Sequence, residues 1–339
     1  MNLDAADTRA RLESFLRAAA GADAVHIRHL YRLSGGAVQE NWALDADMAG
    51  GTQPGPHQWV LRTDAAARVA ASLGRSDEFH ILQFAHAAGL HAPEPLWLCR
   101  DLAVTGREFF VMQRLPGIAS GHRVTRDAAL VPDRARLACE LAENLARLHA
   151  IHPPQSKLAF LATMHARDNI AHYRQYLDQL ADAHPALEWG LRWCEVHAPD
   201  REETTFIHRD YRTGNYLVDT GHLTGALDWE FAGWGDPRED IGWFTARCWR
   251  FGASEREAGG IARVDPFLDG YARVSGRRAT RFDLDYWQVM AHLRWAVIAL
   301  QQAQRHVAGG ERSLELALTG RIVHELEYEI LHLISQEAR

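Results

Sequence analysis

Residues 206–230 read FIHRDYRTGNYLVDTGHLTGALDWE, an apolar segment followed by a polar loop and then by a hairpin pattern. The apolar start is typical of a buried strand that ends at residue 207. Residues 216–218 and 223–227 read as two short strands, joined by a tight turn at residues 220–222. The stretch therefore predicts a strand, a polar loop and a hairpin in that order.

The hairpin brings two oxygen-bearing side chains together if its turn is centred between Gly221 and His222. Antiparallel pairing then sets Asn215 opposite Asp228, because each lies the same number of residues from that centre. Opposite Cβ atoms in such a pair are roughly 4.5–5.5 Å apart. An amide oxygen and a carboxylate at that separation can share a hard cation, and oxygen ligands suit Mg²⁺. The spacing therefore predicts a magnesium site at Asn215 and Asp228.

Asp210 lies on the polar loop that leads into the same end of the hairpin. A carboxylate there can accept the proton of an attacking hydroxyl while a metal ion holds nucleotide phosphates alongside. The order His208, Arg209, Asp210 and then Asn215 is the H-R-D-x-x-x-x-N arrangement of kinase catalytic loops. The alternative is that these are ordinary turn and cap residues, since Asp and Asn favour such positions.

Composition indicates an ordinary soluble globular protein with room for two domains in 339 residues. A net charge of -7 without a basic cluster argues against a nucleic-acid polymer as the main partner. The four cysteines are scattered without paired spacing, as in a cytoplasmic protein with reduced thiols. The N-terminal residues lack an apolar signal core, and no run approaches the roughly 20 apolar residues of a membrane span.

Asp-Trp-Glu at 228–230 stands where protein kinases have their metal-binding Asp followed by Phe-Gly, and Gly-Trp-Gly-Asp-Pro follows at 233–237. With the HxDxxxxN pattern and the hairpin, these motifs resemble the aminoglycoside phosphotransferase and choline kinase superfamily. The motif Asp-Tyr-Arg-x-Gly-Asn, which begins at Asp210, looks most like that of the phosphotransferase domains associated with acyl-CoA dehydrogenases. The resemblance implies an α+β, protein-kinase-like two-lobe fold. Residues 1–115 would form a small antiparallel-sheet lobe that binds nucleotide, and residues 116–339 a larger helical lobe.

Within the N-terminal lobe, Gly35 and Gly36 lie between two strand-like runs, in a turn whose backbone N–H groups can close over phosphates. Two adjacent glycines alone more often mark only a turn. The superfamily pattern expects a phosphate-binding lysine near Arg62, whereas the only lysine of the chain is Lys157. Arginine can bind phosphate with its bidentate fork. The alternative for Arg62 is a solvated charge at the end of a strand.

A helix predicted over residues 76–88 places Glu78 on the stripe that faces the sheet, where it can orient Arg62. Asp77 is the competing carboxylate, on a different face of that helix. The strand that ends before Pro116-Gly117 resembles the interlobe hinge of kinases. By that resemblance, the backbone at Gln113 and Leu115 would contact the adenine edge.

Arg212 is the second predicted catalytic residue, two positions after Asp210. Arg212 stands where kinases often hold a basic residue that reaches the transferred phosphoryl group. Its alternative is an ion pair within the loop, with Asp240 or Glu239. By the resemblance, Asp236 and Asp240 brace the loop and have a structural role.

The sequence predicts an ATP-dependent phosphotransferase that moves the γ-phosphoryl group to a hydroxyl of a small molecule, with ATP and Mg²⁺ as cofactors. Arg247 and Arg250 favour an anionic acceptor, and the resemblance favours hydroxy acids or hydroxyacyl thioesters. An aminoglycoside or choline-type kinase is the alternative enzyme. Four tryptophans can form a box for a quaternary ammonium but are more often core residues: Trp229, Trp234, Trp243 and Trp249.

A catalytically inactive nucleotide-binding pseudokinase is the alternative from another class, favoured by the missing lysine and the weak glycine turn. Against it, all three of the residues that a phosphoryl transfer needs are present, namely Asp210, Asn215 and Asp228. The choice between ATP and GTP and the oligomeric state leave no mark in the sequence.

Overall fold

The computed structural model describes residue 3 and residues 5–33, 39–64, 72–309 and 313–337. The chain divides into two compact units. Unit 1 comprises Met1–Gly117 and Thr224–Phe231, and unit 2 comprises Ile118–Leu223 and Ala232–Arg339. This division differs from the predicted lobes in two respects: unit 1 ends at Gly117 instead of residue 115, and the short segment that contains Asp228 groups with unit 1.

Unit 1 contains a five-stranded antiparallel sheet, flanked by helices, in the order β1-β2-β3-β5-β4. Its elements in chain order are α1 (Ala6–Ala20), β1 (Ala24–Arg32), β2 (Gln39–Ala49), β3 (Gly55–Asp64), α2 (Arg75–Ala87), β4 (Pro95–Cys99), α3 (Leu102–Thr105) and β5 (Phe109–Gln113). A short 3₁₀ turn at Trp229–Phe231 also belongs to it.

The two faces of strand β3 are both buried, which explains its continuous run of buried residues from Trp59 to Thr63. Leu61 lies in the apolar core that also contains Leu12 and Leu16 of α1. Successive side chains of a strand point to opposite faces, so Arg62 lies on the other side of the sheet. That orientation places the guanidinium of Arg62 beside helix α2.

Unit 2 is mainly helical. Its helices are α4 (Gly121–Arg126), α5 (Arg134–His149), α6 (Ala166–Leu177), α7 (Pro185–Val196), α8 (Pro237–Thr245), α9 (Val264–Ser275), α10 (Arg281–Val307), α11 (Leu314–Arg321) and α12 (Val323–Glu337). The strands are β6 (Thr205–Ile207), β7 (Tyr216–Asp219), β8 (His222–Ala226) and β9 (Gly233–Gly235), of which β8 runs from unit 2 into unit 1. The α+β fold with a small antiparallel sheet and a larger helical part is confirmed.

The hairpin turn is centred one residue earlier than predicted. Strand β7 ends at Asp219 and β8 begins at His222, so Thr220 and Gly221 form a two-residue turn with φ of 47° and 81°. Positive φ at both positions is typical of the turn that joins twisted antiparallel strands. The predicted centre between Gly221 and His222 is therefore wrong, and counting outward from the observed turn no longer sets Asn215 opposite Asp228.

Helix length and hydropathy bear on the prediction of no membrane segment. No helix in the described ranges combines the length and the apolar run that crossing a bilayer requires.

Candidate active site

Arg62 is a buried cation at the centre of unit 1, with 3% of its surface exposed. Its Nε and Nη2 face the two carboxylate oxygens of Glu78 at 3.0 and 2.9 Å, a two-pronged contact that arginine can make and lysine cannot. Burial alone would lower the pKa of Arg62, but the carboxylates of Glu78 and Asp228 raise it above its ordinary value. The structure thus brings Arg62 and Glu78 together, and Arg62 is not a solvated charge.

The remaining nitrogen of Arg62 contacts two further side chains. Its Nη1 lies 2.9 Å from Oδ1 of Asp228 and 3.2 Å from Oδ1 of Asn41. Three of the predicted site residues, Arg62, Glu78 and Asp228, are therefore joined within unit 1.

Arg75 is a second buried arginine in this cluster, and the sequence analysis missed it. Only 1% of Arg75 is exposed, and its guanidinium pairs with Glu78, with Asp64 at 2.9 Å and with Glu230 at 3.4 Å. Helix α2 begins at Arg75 rather than at the predicted Ser76, with Gly74 as its N-cap. The spacing of Arg75 and Glu78 by three residues on one helix is the signal that could have revealed the contact.

Glu230 links the start of α2 to the start of β2. Its carboxylate accepts a hydrogen bond from the Gln39 side chain and another from Arg75. Burial raises the pKa of Glu230 to about 7, because the charged form loses hydration. Gln39 lies three residues after Gly36; the predicted phosphate-binding glycines, Gly35 and Gly36, lie outside the described residues.

The pKa of Glu230 predicts a specific pH dependence of stability. Its pKa is about 7 in the folded state against an ordinary 4.5, so between these values the folded chain holds a proton that the unfolded chain has lost. Stability contributed by this group therefore falls as pH rises from about 4.5 to 7. We expect the unfolding free energy of Glu230→Gln, relative to the unsubstituted chain, to increase over that range.

Urea denaturation at several pH values measures this difference. Glu140→Gln is the matched control, because Glu140 lies in unit 2 and pairs there with His222 and Arg136. A Glu230→Gln difference that stays constant with pH, or that falls, would contradict the prediction.

Asp228 fits part of a magnesium site. Its side chain is 35% exposed, its Oδ1 pairs with Arg62, and its backbone has a φ of 60° that few residues with side chains adopt. The second carboxylate oxygen has the hard-oxygen chemistry that Mg²⁺ prefers. Within the described ranges, no three His, Cys, Asp or Glu side chains cluster as a metal site, so a metal at Asp228 would need amide, water or phosphate oxygens as well.

One backbone group of the predicted adenine-binding segment, the N–H of Gln113, already makes a hydrogen bond within the protein. The N–H of Gln113 donates to the carbonyl of Glu94 at 2.9 Å, and the N–H of Arg114 donates to Gln58 at 3.2 Å. An adenine contact at Gln113 would therefore use its carbonyl oxygen. The proposal for Leu115 is unchanged by these bonds.

In unit 2, the carboxylate of Asp210 is held by three side-chain donors. Oδ1 accepts from the indole Nε1 of Trp243 at 2.9 Å and from Nε of Arg212 at 3.2 Å, and Oδ2 accepts from Nδ2 of Asn215. The same Asn215 nitrogen donates to the backbone carbonyl of Asp210 at 3.0 Å. The amide nitrogen of Asn215 is thus engaged, which leaves its oxygen as a possible metal ligand.

The loop that carries Asp210 has a strained backbone, which Asp240 braces. Arg209 has a φ of 64°, and such a conformation costs about 1–3 kcal/mol unless its surroundings enforce it. The carboxylate of Asp240 accepts from the backbone N–H groups of His208 and Arg209, both at 2.7 Å, and from His149 at 3.1 Å. Burial alone would raise the pKa of Asp240, but these hydrogen bonds hold it below its ordinary value.

Asp236 has a different task from Asp240. It caps helix α8 by accepting from the N–H of Arg238 at 2.9 Å, and it pairs with the Arg238 guanidinium at 2.7 Å. Its bracing role is therefore at the start of α8, and the direct contacts with the backbone of the 208–215 loop come from Asp240.

Two arginines lie over tryptophan rings beside Asp210. The guanidinium of Arg212 is 4.5 Å from the ring centre of Trp249, and that of Arg294 is 4.5 Å from the ring centre of Trp243. Arg212 pairs with Asp210 rather than with Asp240 or Glu239, which were the alternative partners. Trp243 and Trp249 also contact each other, at 5.1 Å between ring centres.

The arginines chosen from the sequence to bind an anionic acceptor are engaged elsewhere. Arg250 is buried, donates to the carbonyls of Thr245 and Ser254 and pairs with Glu257. Arg247 pairs with Glu329 at 3.0 Å, although nearly half of its side chain is exposed. The inference that Arg250 meets a substrate is therefore wrong; it ties down the segment that follows α8.

The predicted residues thus fall into two groups, each assembled within its own unit. Unit 1 joins Arg62, Glu78 and Asp228, and unit 2 joins Asp210, Arg212 and Asn215. Carboxylate, amide and guanidinium groups of this kind suit proton transfer, cation binding and phosphate binding.

The chain belongs to the phosphotransferase enzyme family known as APH, whose profile matches residues 29–277. Two relatives are the acyl-CoA dehydrogenase family member 11 proteins of Pongo abelii and Gallus gallus. The first is 24% identical, covering 81% of this chain and 37% of that protein; the second is 26% identical, covering 76% and 35%. The chain spans about a third of the length of these relatives.

Solved structures confirm the protein-kinase-like fold of this superfamily. A Ralstonia eutropha protein classed as an aminoglycoside phosphotransferase has a TM-score of 0.76 at 19% identity, covering 96% of this chain and 98% of its own. A choline/ethanolamine kinase family protein from Mesorhizobium loti gives 0.58 at 16%, covering 90% and 88%. A mutant of aminoglycoside phosphotransferase APH(4)-Ia, complexed with AMP-PNP and hygromycin B, gives 0.59 at 17%, covering 96% and 99%.

Proposed function

We propose that this chain transfers the γ-phosphoryl group of ATP to a hydroxyl group of a small, anionic acceptor. The observation that carries the proposal is the carboxylate of Asp210, oriented by Trp243, Arg212 and Asn215 on a loop that follows the HxDxxxxN pattern. A proton acceptor held by several donors is what phosphoryl transfer to an alcohol needs, and a protein that only binds nucleotide has no use for one.

The proposed reaction uses the residues of each unit in separate roles. The acceptor hydroxyl attacks the γ-phosphorus, its proton passes to Asp210, and the bond to the β–γ bridging oxygen breaks to release ADP. Arg212 stabilises the charge that develops on the transferred group. In unit 1, Arg62, oriented by Glu78, holds the nucleotide phosphates together with Gly35 and Gly36, and the backbone at Gln113 and Leu115 contacts adenine. Asn215 and Asp228 would hold Mg²⁺, which would neutralise phosphate charge when bound.

An anionic acceptor is favoured over a cationic one by the arginines beside Asp210. Recognition of a quaternary ammonium needs an open aromatic face, and the rings of Trp249 and Trp243 are each covered by an arginine of the chain itself. Trp229 and Trp234 are 1% and 4% exposed, so they serve as core residues. A hydroxy acid or hydroxyacyl thioester fits this environment, and the names of the relatives support an acyl thioester.

ADP release measured with a panel of acceptors tests the proposed acceptor class. We expect hydroxyacyl-CoA or hydroxy acids to stimulate ADP release at least about tenfold, a preference of 1.4 kcal/mol, whereas choline and hygromycin B leave it unchanged. GTP in place of ATP tests the choice of nucleotide. The proposed acceptor class is wrong if choline or hygromycin B stimulates ADP release and the acids and thioesters do not.

One observation favours a second candidate, a pseudokinase that binds nucleotide without catalysis. All three nitrogens of Arg62 already face protein side chains, those of Glu78, Asp228 and Asn41, so the residue can act as a structural tie instead of a phosphate ligand. Calorimetry with ATP and Mg²⁺ beside the ADP assay separates the two. Binding without turnover on any acceptor of the panel would favour the pseudokinase.

A further inference from the structure

Helix α10 lies beyond the residues matched by the family profile, which ends at residue 277, yet it reaches the 208–215 loop. Arg294 of this helix donates from Nη1 to the backbone carbonyl of Arg209, directly before Asp210. Its guanidinium also lies 3.9 Å from Glu239 and over the ring of Trp243. Its side chain is 14% exposed, so these contacts are made in a largely water-free setting.

The contact with Arg209 bears on the strained part of the loop. Arg209 has a positive φ, and its N–H is already held by Asp240. Arg294 holds the carbonyl on the other side of the same residue. A strained conformation persists only when neighbouring groups enforce it. The two contacts on Arg209 therefore fix the backbone from which the Asp210 side chain projects.

Trp243 provides a second path from Arg294 to Asp210. Its indole N–H donates to Oδ1 of Asp210 at 2.9 Å, and the guanidinium of Arg294 covers its ring at 4.5 Å. A cation over an aromatic face is attracted by the ring, which restrains the rotation of both side chains. Trp243 is 3% exposed, and its packing against Trp249 limits its movement further.

We propose that Arg294 and Trp243 are positioning residues that together fix the Asp210 carboxylate, through the backbone of Arg209 and through the indole hydrogen bond. This role rests on the proposed phosphoryl transfer, because it places the proton acceptor of that reaction. It also assigns a role to helix α10, which lies outside the residues matched by the family profile.

Trp243→Phe is the sharpest test, since it removes the indole N–H but keeps a ring for Arg294 to cover. We expect kcat to fall about tenfold, the loss of one hydrogen bond to a charged group, with little change in the KM for ATP. Trp287→Phe is the matched control: Trp287 is equally buried, and within the described residues its indole nitrogen has no hydrogen-bond partner. Both variants lose the same core volume, so this loss contributes similarly to their thermal stabilities.

Replacement of Arg294 tests its contacts with the Arg209 carbonyl and the Trp243 ring. Arg294→Met should lower kcat more than Arg294→Lys, because lysine keeps a donor for the Arg209 carbonyl but lacks the planar stack on Trp243. The double variant Trp243→Phe/Arg294→Met should lose less than the product of the single losses, since both residues act on Asp210. Equal kcat values for Trp243→Phe and Trp287→Phe would overturn the proposal.

The indole ¹H–¹⁵N resonance of Trp243 gives a readout that needs no activity. We expect it to lie downfield in the unsubstituted chain and to move upfield in Asp210→Asn, where the carboxylate acceptor is replaced. An unmoved resonance would overturn the positioning role whatever the enzyme assays show. A resonance that moves, in a chain that releases no ADP with any acceptor, would count against the proposed function and leave the structural contact intact.

Discussion

Asp210→Asn is expected to lower kcat for ADP formation by about 10²–10⁴-fold, the range that a positioned proton acceptor contributes. Asparagine has nearly the same shape as aspartate, but its amide cannot take the acceptor proton. Its NH₂ group also cannot accept from all three donors that surround Asp210, so at least one contact is lost. The proposed nucleotide residues lie in unit 1, and we expect the Kd for ATP to stay within about threefold, a change of less than 1 kcal/mol.

Coupled measurement of ADP release and calorimetry with ATP give the two quantities. Asp219→Asn serves as the control, because Asp219 ends strand β7 beside the hairpin turn and has no proposed role in catalysis. Full turnover in Asp210→Asn would remove the proton acceptor from the proposed reaction. If ATP binding and turnover were both lost, the result would instead indicate that the substitution unfolds the loop.

Arg75→Met is expected to lower the unfolding free energy by about 3–5 kcal/mol, as when one member of a buried ion pair is removed. The Arg75 guanidinium is fully buried and pairs with Asp64, Glu78 and Glu230. Without it, the buried carboxylate of Glu230 would lose its arginine contact, and Arg62 would remain as the cation paired with Glu78. Methionine fills most of the volume, so the expected loss is electrostatic in origin.

Chemical denaturation measures this loss, with Arg11→Met as a control in the same unit. Arg11 donates to the carbonyl of Val104 and to Thr8 but pairs with no carboxylate in the described part of unit 1, so its replacement should cost about 1 kcal/mol. Adding Glu230→Gln to Arg75→Met should restore part of the stability, because it removes one uncompensated carboxylate. Equal losses in Arg75→Met and Arg11→Met would show that the buried ion pairs contribute nothing beyond ordinary hydrogen bonds.

Local patterns in the sequence were sufficient to predict the pairing of Arg62 with Glu78. Alternation along the strand sets the side of the sheet for Arg62, and the helical stripe sets the direction of Glu78. Arg75 was missed because the helix was predicted to begin at residue 76, whereas the observed helix begins at Arg75 with Gly74 as its N-cap. The contact of Glu230 with Gln39 joins residues 191 positions apart, and no local pattern encodes such a contact.

The position of the hairpin turn and the role of Arg250 could not be predicted from the sequence. A threonine with positive φ is an uncommon turn residue, so the sequence favoured a turn one step later, at Gly221 and His222. Arg250 looked like a substrate ligand because charged residues are mostly exposed. In the fold, its guanidinium satisfies backbone carbonyls and Glu257, which only the tertiary structure determines.

The arginine in place of a lysine at position 62 has a consequence for chemical profiling. If Arg62 holds the phosphates as proposed, nucleotide probes that acylate a lysine amine at that position would find none, because Lys157 is the only lysine in the chain. Reagents that modify guanidinium groups would also be obstructed, since Arg62 is 3% exposed. Under the proposed function, lysine labelling would therefore not report ATP binding at position 62.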